Sequence, residues 1–497
     1  MKKSVRWIQG DQLGQRFFDD ADRVVLIEAK SIFRRTTYHR QKAHLILSAM
    51  RHTAAELGSS AQYIRAETFA EGLAQCAGPV TVVEPNSRAS RDEITGLIQD
   101  GLSITILPSR GFITGHDNFQ SWVASRGKRR LLLEDWYREV RVSHDVLMVG
   151  DEPAGGRWNF DEDNRQSPPR GVRRLDIPAA WAPREDAIDA QVRADLDEWE
   201  KEGITFLGTD GPRHFAVTIT EAREALDDFI THRLPVFGPF EDAVLADDWL
   251  MAHSGLSVPM NLGLIAPLDA VLAAESAWDA GDAPIASVEG FVRQILGWRE
   301  FIWHLYWHFG PDYVTGNNAL EAHTPLPTWF KDADADAVDA RCLSWALKEV
   351  HDKGWTHHIV RLMILGNWAL QQGYEPVETT RWFQRAFLDG YPWVMAANTV
   401  GMALFADGGQ MSTKPYAAGG AYINKMTNLC KDCIYKPAVR VGPDACPFTA
   451  GYWNFLNNNE ERLAKNHRMS MALAGLRKLK DRDELVEQES MRGSAAP

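Results

Sequence analysis

The period of the apolar residues changes once along this chain, and that change limits the possible folds more than any other sequence feature. In the first 125 residues, stretches of helical period alternate with short β-branched runs at residues 5–9, 24–28, 63–65, 80–83 and 104–107. Such alternation is typical of a doubly wound parallel sheet with helices on both faces. We therefore predict an α/β domain over residues 1–125.

Beyond about Thr220 the period is helical almost throughout. The clearest apolar stripe has the three- and four-residue spacing of one helix face and runs through Val288, Phe291, Ile295, Trp298, Ile302 and Leu305. Between the two regions, Gly155-Gly156 and Pro168-Pro169 interrupt any helix. The sequence thus predicts a long interdomain linker over residues 126–195 and an all-α domain over residues 196–497. The polar C-terminal end, roughly the last 15 residues, is expected to be frayed.

Length and apolar content limit the class of protein. A chain of 497 residues is too long for one hydrophobic core. The chain has no run of about 18 apolar residues and no signal-peptide core behind Met1, so we expect a cytoplasmic protein without membrane contact. In a reducing compartment, five cysteines indicate metal binding or redox chemistry rather than structural disulfides.

The charge is uneven along the chain. The net charge is −13, which argues against non-specific binding to nucleic acid. Locally the balance reverses in a basic cluster of Arg126, Lys128, Arg129 and Arg130, and again between Arg381 and Cys446, where basic residues outnumber acidic ones. Such runs most often mark a solvated helix surface, but they also suit a face that contacts phosphates.

Three of the cysteines lie close together in sequence, with Cys430 and Cys433 followed by Cys446-Pro447. Two thiolates three positions apart reach one metal centre, and a Cys-Pro ending resembles the last ligand of a ferredoxin-type run. A tetrahedral site needs a fourth ligand, for which Cys342 and Cys76 are the candidates. Cys76 has the pattern of a small buried hydrophobe. Spacing alone leaves a zinc site and an iron–sulfur cluster equally open.

Several sequence blocks resemble one known family. From the N-terminus these are GDQL (10–13), GRWNFD (156–161), GWRE (297–300), HHIVRLM (357–363), VGMALFADGG (400–409), TKPYA (413–417) and YIN (422–424). Over essentially the whole chain they resemble the iron–sulfur bacterial branch of the photolyase/cryptochrome family. The resemblance implies a [4Fe–4S] cluster held by Cys342, Cys430, Cys433 and Cys446.

The same resemblance implies a light-driven repair enzyme. The helical domain would bind FAD, and the excited reduced flavin would pass an electron to a pyrimidine lesion flipped out of UV-damaged DNA, with no net redox change. In this branch the usual substrate is the (6-4) photoproduct. The N-terminal domain would bind an antenna, 6,7-dimethyl-8-ribityllumazine.

Residue by residue, the resemblance implies two cofactor sites. The FAD site would consist of His253, Ser254, Leu256, Ser257, Gln294, Trp298, Arg299, Arg361, Asp389 and Asn398. His253 stands where the family commonly has threonine in a phosphate clamp. The antenna site would consist of Gly10, Asp11, Gln12, Glu28, His39, Lys42 and Ile46. Hydroxyls and amides suit a pyrophosphate, and arginine and carboxylate suit the edges of the flavin.

Repair of a (6-4) lesion moves a proton along with the electron, and histidine is the natural donor near neutral pH. Adjacent residues on a helix point about 100° apart, so His357 and His358 would not face the same ligand. By resemblance His358 is the catalytic acid, beside His357, while Tyr416 and Met402 line the lesion pocket. Without the resemblance, a core or surface histidine would be the better interpretation.

The sequence departs from the family pattern in its electron chain and its antenna site. Trp382 stands at the inner position of the aromatic chain that re-reduces the flavin, but Asp334 occupies the position of the next tryptophan. Phe383 stands where a tyrosine is common. The nearby candidates for an alternative path are Trp329, Trp345 and Trp355. In the antenna site, Ile32 stands where an acidic residue is expected, which leaves another antenna, or none, open.

Two other functions compete with repair. A cryptochrome-like blue-light receptor would share the fold and cofactors. A dark flavin/iron–sulfur oxidoreductase would need a nicotinamide fingerprint, and the sequence contains none. We predict a repair enzyme that acts as a monomer. The role of the cluster, structural or electron-transferring, stays open at this level.

Overall fold

The computed structural model describes residues 5–76 and 78–497. Its N-terminal part contains a five-stranded parallel sheet of order β3-β2-β1-β4-β5, as the alternating pattern predicts. The strands are β1 Val5–Ile8, β2 Arg23–Ala29, β3 Ala61–Ala66, β4 Val80–Val83 and β5 Ile104–Leu107. The helices of this part are α1 Ser31–Arg35, α2 Arg40–Leu57, α3 Phe69–Ala74, α4 Arg88–Gln99 and α5 His116–Arg126.

The sheet is covered on both faces, as expected for parallel strands. Along β2, Val25 and Ile27 enter one hydrophobic cluster with Trp7, whereas Val24 and Leu26 enter another on the opposite face. The chain leaves β1 for β2 on one side and returns to β4 on the other. The crevice between the carboxyl ends of β1 and β4 is therefore the switch point, where ligands of such sheets bind.

The segment between the two main parts is more structured than the weak sequence pattern predicts. It contains α6 Leu133–His144, a short hairpin of β6 Met148–Val149 and β7 Glu152–Pro153, and the start of α7 Ala187–Lys201. Helix α6 buries Trp136 and Tyr137, and the Tyr137 hydroxyl donates to Glu289 at 2.9 Å. Helix α7 packs against α2. The segment therefore wraps across both parts of the molecule.

The rest of the chain is helical, as predicted. Its α-helices are α8 Ile219–Asp228, α9 Leu234–Phe240, α10 Ser257–Asn261, α11 Pro267–Asp279, α12 Ile285–Val292, α13 Glu300–Phe309, α14 Thr328–Lys331, α15 Arg341–Lys353, α16 His358–Val360, α17 Asn367–Gln371, α18 Pro376–Ala386, α19 Pro392–Met395, α20 Gly420–Met426, α21 Pro447–Asn458, α22 Glu460–Leu463, α23 Ser470–Leu476 and α24 Arg482–Arg492. No helix of the described residues is long and apolar enough to cross a membrane.

Four segments of π-helix interrupt these helices. They are Phe229–Arg233, Arg293–Arg299, Arg361–Gly366 and Ala396–Ala403. Such segments are rare and occur frequently at functional sites. The last three carry predicted site residues, so helical irregularity and predicted function coincide here.

The expectation of a frayed C-terminus is wrong. Helix α24 buries Leu485 completely, and the indole nitrogen of Trp329 donates to the carbonyl of Ser494 at 3.1 Å. The amide of Ala340 donates to the carbonyl of Pro497 at 2.9 Å. The C-terminal residues are therefore fixed by hydrogen bonds to their backbone carbonyls, although few of their side chains are apolar.

Candidate active site

A buried ion pair lies at the centre of the predicted FAD residues. Arg361 donates to both carboxylate oxygens of Asp389, at 2.8 and 3.1 Å, and the Ser257 hydroxyl donates to the same carboxylate at 2.7 Å. Burial opposes ionisation of Asp389, but the guanidinium and the hydroxyl outweigh it and lower its pKa. The structure thus brings together three residues that span 132 positions of the sequence, from Ser257 to Asp389, around an ionised carboxylate.

Sequence reasoning missed the residues that fix this ion pair. The Asn261 side chain donates to the backbone carbonyl of Asp389 at 3.3 Å. The Arg361 Nε donates to the carbonyl of Thr356 at 2.6 Å, and its guanidinium lies 4.2 Å from the centre of the Phe387 ring. Two of these interactions use backbone carbonyls, which leave no signal in the side-chain pattern. Asn261 carries a signal, since it lies one helical turn after Ser257 on α10.

The two adjacent histidines have different surroundings. His357 is 2% exposed and stacks on His253, with ring centres 4.3 Å apart and an angle of 19°. His358 is exposed and makes no hydrogen bond to another described residue. Surrounding protein atoms, with a smaller effect of Arg361, nevertheless lower the pKa of His358 to about 4. His358 is therefore the imidazole that a bound substrate can reach.

The site contains buried polar atoms without a partner among the described residues. They are Nε2 of His253, both ring nitrogens of His357 and the hydroxyl oxygen of Thr356. An unsatisfied buried polar atom costs about 1–3 kcal/mol, so a concentration of them fits a polar ligand. The surroundings of Asp389 and Arg361 thus fit a flavin nucleotide.

The other predicted FAD residues contribute unequally. Arg299 is turned towards the α/β domain, where it donates to the carbonyl of Gly111 at 3.2 Å and stacks on Phe112. Asn398 donates to the carbonyl of Val394 at 2.8 Å, which leaves its side-chain oxygen available. The remaining positions make no hydrogen bond to Asp389. Gln294 and Trp298 are half-buried on a π-helical segment. The Ser254 hydroxyl accepts from the amide of Leu256, whose side chain is fully buried.

The predicted lesion wall combines a buried and an exposed residue. Met402 is buried on the π-helical segment Ala396–Ala403, whereas the Tyr416 side chain is 39% exposed. The Ser412 hydroxyl donates to the carbonyl of Gly401 at 3.0 Å, which ties the loop before Tyr416 to that segment. Arg130, from the basic cluster, donates to the carbonyl of Ser412 at 3.3 Å. The basic cluster thus lies against the loop that carries the predicted pocket wall.

An aromatic path leads from Trp382 to Trp329. The Phe330 ring lies 4.7 Å from the Trp382 ring and 5.7 Å from the Trp329 ring, centre to centre. Asp334, in the expected tryptophan position, accepts instead from the amides of Asp336 and Ala337. Of the three tryptophans that the sequence offers for another electron path, Trp329 is the one connected to Trp382 through Phe330. Phe383 packs edge-on against Trp382.

Trp345 and Trp355 have other contacts. The Trp345 indole donates to the carbonyl of Ala246 at 3.1 Å. Trp355 packs against Trp249 and lies 5.7 Å from the Arg361 guanidinium.

Four cysteines line one small cavity. They are Cys342, Cys430, Cys433 and Cys446. Burial, with repulsion between the neighbouring thiolates as a smaller cause, raises the pKa of Cys430 to about 12 and that of Cys342 well above its usual range. Thiolates packed together in this way require a cation, so the donor set fits a metal cluster. Cys76 lies apart, on the turn after α3.

Part of the predicted antenna site lies at the switch point of the sheet. Asp11 is half-buried and accepts from the Asn86 side chain at 3.0 Å, across the crevice between β1 and β4. Burial raises the pKa of Asp11 to about 6. Gln12 donates to the carbonyls of Val83 and Glu84, and Ile46 packs against Gly10. Asn86 was missed, although its position three residues after the end of β4 is a readable signal.

The remaining antenna residues are engaged elsewhere. The Glu28 carboxylate accepts from Arg51, Arg65 and the Tyr63 hydroxyl, the last at 2.6 Å. His39 and Lys42 point into the helical part of the molecule and donate to backbone carbonyls there. The resemblance assigns these three residues to the antenna site, but their polar groups already have partners. Ile32 is half-buried next to Phe33 in a separate hydrophobic cluster.

Comparison with other proteins shows which family this chain resembles. Residues 6–206 match the family of deoxyribodipyrimidine photo-lyase-related proteins. A protein of Agrobacterium fabrum named (6-4) photolyase is 39% identical over 488 residues, which cover 94% of each chain. An uncharacterized protein of Acanthamoeba polyphaga mimivirus is 34% identical over 100 residues, which cover 20% of this chain and 74% of the relative.

Two solved structures show the same fold at low identity. A bacterial class III photolyase from Agrobacterium tumefaciens matches with a TM-score of 0.54 and 18% identity, over 84% of this chain and 82% of the other. A cryptochrome of Synechocystis matches with a TM-score of 0.52 and 12% identity, over 80% and 82%. The 39% identity over nearly the whole chain, the family match and the shared architecture agree: the chain belongs to the photolyase/cryptochrome family, in its iron–sulfur bacterial branch.

Proposed function

We propose that this protein repairs (6-4) photoproducts in UV-damaged DNA in a light-driven reaction. The observation that carries the proposal is the 39% identity, over 94% of the chain, to a protein named (6-4) photolyase. Membership of the family implies FAD as the cofactor, and the buried polar groups around Asp389 and Arg361 support it. When bound and reduced, the flavin supplies the electron for repair.

The residues of the site have distinct tasks in this proposal. Arg361 and Asp389 hold the flavin edge, with Ser257 fixing the carboxylate. His358 donates a proton to the lesion, because it is the exposed histidine of the pair. His357 stays neutral and buried behind it. Met402 and Tyr416 form the wall against which the extruded base stacks.

The other two cofactors belong to the proposal as well. The cavity of Cys342, Cys430, Cys433 and Cys446 supports a [4Fe–4S] cluster, since four soft thiolates suit iron–sulfur centres. The crevice at Asp11 and Asn86 supports the lumazine antenna, because ligands of such sheets bind at this point.

The charge distribution supports DNA as the partner. Between Arg381 and Cys446, the carboxylates of Asp389 and Asp407 are buried, so they do not offset the basic residues at the surface. Arg381, Lys414, Lys425 and Lys431 are exposed and form no ion pair with another described residue. Unpaired surface cations of this kind are what phosphate contacts require.

We propose that one copy of the chain acts on one lesion. In this proposal residues 1–125 form the antenna domain, residues 126–195 the linker and residues 196–497 the catalytic domain.

The test is a repair assay with defined lesions. The purified protein, with its flavin reduced, is illuminated with blue or near-UV light together with an oligonucleotide that carries one (6-4) photoproduct. A cyclobutane-dimer oligonucleotide and a dark sample are the controls, and chromatography follows the product. Light-dependent repair of the (6-4) lesion alone is expected. A flavin that photoreduces without repair of either lesion would instead indicate a light receptor.

The aromatic path makes a separate prediction about Trp329. Replacing Trp329 by phenylalanine is expected to slow photoreduction of the bound flavin by an external thiol several-fold, because the path from Trp382 through Phe330 then lacks its outer indole. Transient absorption of the tryptophan radical measures the effect directly. Trp345→Phe is the matched control and should leave the rate unchanged. Equal rates in wild type and Trp329→Phe would show that electrons enter by another route.

A further inference from the structure

The start of α2 is inserted into the helical part of the molecule. We call residues His39, Arg40, Gln41 and Lys42 the α2 plug; each is at most 5% exposed. Polar residues of this kind are almost never so deeply buried unless they are paired. The plug therefore forms a specific polar contact between the two parts of the chain, and its hydrogen-bond partners indicate its role.

Two residues of the plug bind the end of α15. The His39 Nε2 donates to the carbonyls of Val350 and His351, at 2.9 and 3.1 Å. Its Nδ1 accepts from the amide of Gln41 at 3.1 Å. The Gln41 side chain donates to the carbonyl of Asp352. The last carbonyls of a helix have no partner within it, so these side chains complete α15.

Lys42 binds a different set of carbonyls, at the end of α18 and in the turn after it. Its Nζ donates to Gln384 at 2.8 Å, Phe387 at 3.0 Å and Gly390 at 2.7 Å. An ammonium group has three hydrogens to donate, and here all three have acceptors. A Cβ atom on Gly390 would lie 2.5 to 2.9 Å from neighbouring carbonyl oxygens, so the glycine permits the close turn that places its own carbonyl beside this end of α18.

The turn that Lys42 holds is the one that carries Asp389. Phe387 and Gly390, two of the three acceptors, flank Asp389 in sequence, and Phe387 also lies under the Arg361 guanidinium. Burial lowers the pKa of Lys42 to about 7, while the charge of Asp389 acts in the opposite direction. The ammonium group and the Asp389–Arg361 ion pair thus lie close enough to interact, although Lys42 touches neither carboxylate nor guanidinium.

We infer that Lys42, in the α/β domain, is a positioning residue for the flavin pocket of the helical domain. Its three hydrogen bonds fix the turn 387–390, and the turn sets the carboxylate of Asp389 against Arg361 and Ser257. The inference rests on the proposed flavin site. A lysine is suited to the task because one flexible ammonium group reaches three carbonyls that differ in direction.

The experiment compares Lys42→Met with Gln41→Met in the full-length protein. Both variants remove hydrogen bonds of the plug to helix ends, but only Lys42→Met releases the turn with Asp389. The readouts are the dissociation constant of the flavin, the absorption spectrum of the bound flavin, and amide exchange of residues 387–391. Lys42→Met is expected to weaken flavin binding about tenfold, or about 1.4 kcal/mol, and to speed exchange in the turn.

Gln41→Met is expected to lower the melting temperature and to leave flavin affinity and spectrum unchanged. Two results would overturn the inference: unchanged flavin affinity in Lys42→Met, or an equal loss in both variants, which would indicate general loosening. Should Lys42→Met not fold, Lys42→Gln decides in the same way, since an amide has only two hydrogens for the three carbonyls and flavin binding should weaken while Gln41→Met leaves it unchanged. A wild-type protein that binds no flavin would instead contradict the proposed function.

Discussion

Replacing His358 by alanine is expected to abolish (6-4) repair while the flavin remains bound and photoreducible. His358 is exposed and without a hydrogen-bond partner among the described residues, whereas His357 is buried against His253. A positioned acid contributes about 10²- to 10⁴-fold to a proton-dependent step, and we expect a loss of that size. The repair assay with the (6-4) oligonucleotide measures it, and the flavin spectrum reports whether the site is intact.

His358→Gln is the matched variant, because it keeps a hydrogen-bond donor of similar length but cannot act as an acid. It should be as inactive as His358→Ala. Repair by either variant at a rate near that of the wild type would exclude His358 as the proton donor.

The pH dependence of repair gives the same hypothesis a second readout. The surrounding protein atoms and, to a smaller extent, Arg361 lower the pKa of His358 to about 4, so at neutral pH the imidazole is mostly uncharged. Above its pKa the protonated fraction falls about tenfold per pH unit. Repair should therefore slow as the pH rises from about 6 to about 8, and bound DNA phosphates shift the profile upwards without changing its sign. A rate that rises with pH would contradict an acid role.

Replacing Cys433 by serine is expected to remove the iron–sulfur absorption and most of the soluble protein. The cysteine cavity joins α15, the 3₁₀ segment Leu429–Asp432 and the first turn of α21. Without its cluster, the cavity holds closely packed thiols, among them Cys342 and Cys430 with raised pKa values, and the metal bonds between the three segments are lost. Binding of a structural metal is folding free energy, so a lost ligand destabilises the whole region.

Cys76→Ser is the control, because Cys76 lies in the α/β domain away from the cavity. It should leave the yield and the absorption unchanged. Soluble yield, iron content and thermal unfolding measure the comparison. A stable and fully active Cys433→Ser protein would refute the view that the cluster holds the C-terminal half together.

The strands were predictable because parallel strands carry dense β-branched runs. The bounds of β4 and β5 agree with prediction, and β1 ends one residue earlier than expected. Helix α6 was also readable, since Leu133, Trp136, Tyr137 and Val140 follow helical spacing, but nearby glycines and prolines masked it. Helix α24 was not, because Leu485 is its one fully buried apolar side chain and the tail after it is held by hydrogen bonds to the carbonyls of Ser494 and Pro497.

The π-helical segments lay outside sequence reasoning for a physical reason. A period of 3.6 residues describes an α-helix, and one extra residue in a turn leaves no compositional mark. The resemblance identified Arg361, Asp389 and Ser257 by motif, but it gave no sign that Lys42 serves the helical part. Its acceptors are backbone carbonyls of Gln384, Phe387 and Gly390, and every residue type provides those.

The α2 plug also limits how this protein can be rebuilt. If an α/β domain contacts its neighbour only through a linker and a flat surface, protein engineering can replace it with another α/β domain. Here a module exchange would remove the side chains that complete α15 and α18. A chimera would have to keep His39, Gln41 and Lys42 at the start of its second helix, in this register. The α/β domain is therefore a structural part of the helical domain and not a detachable accessory.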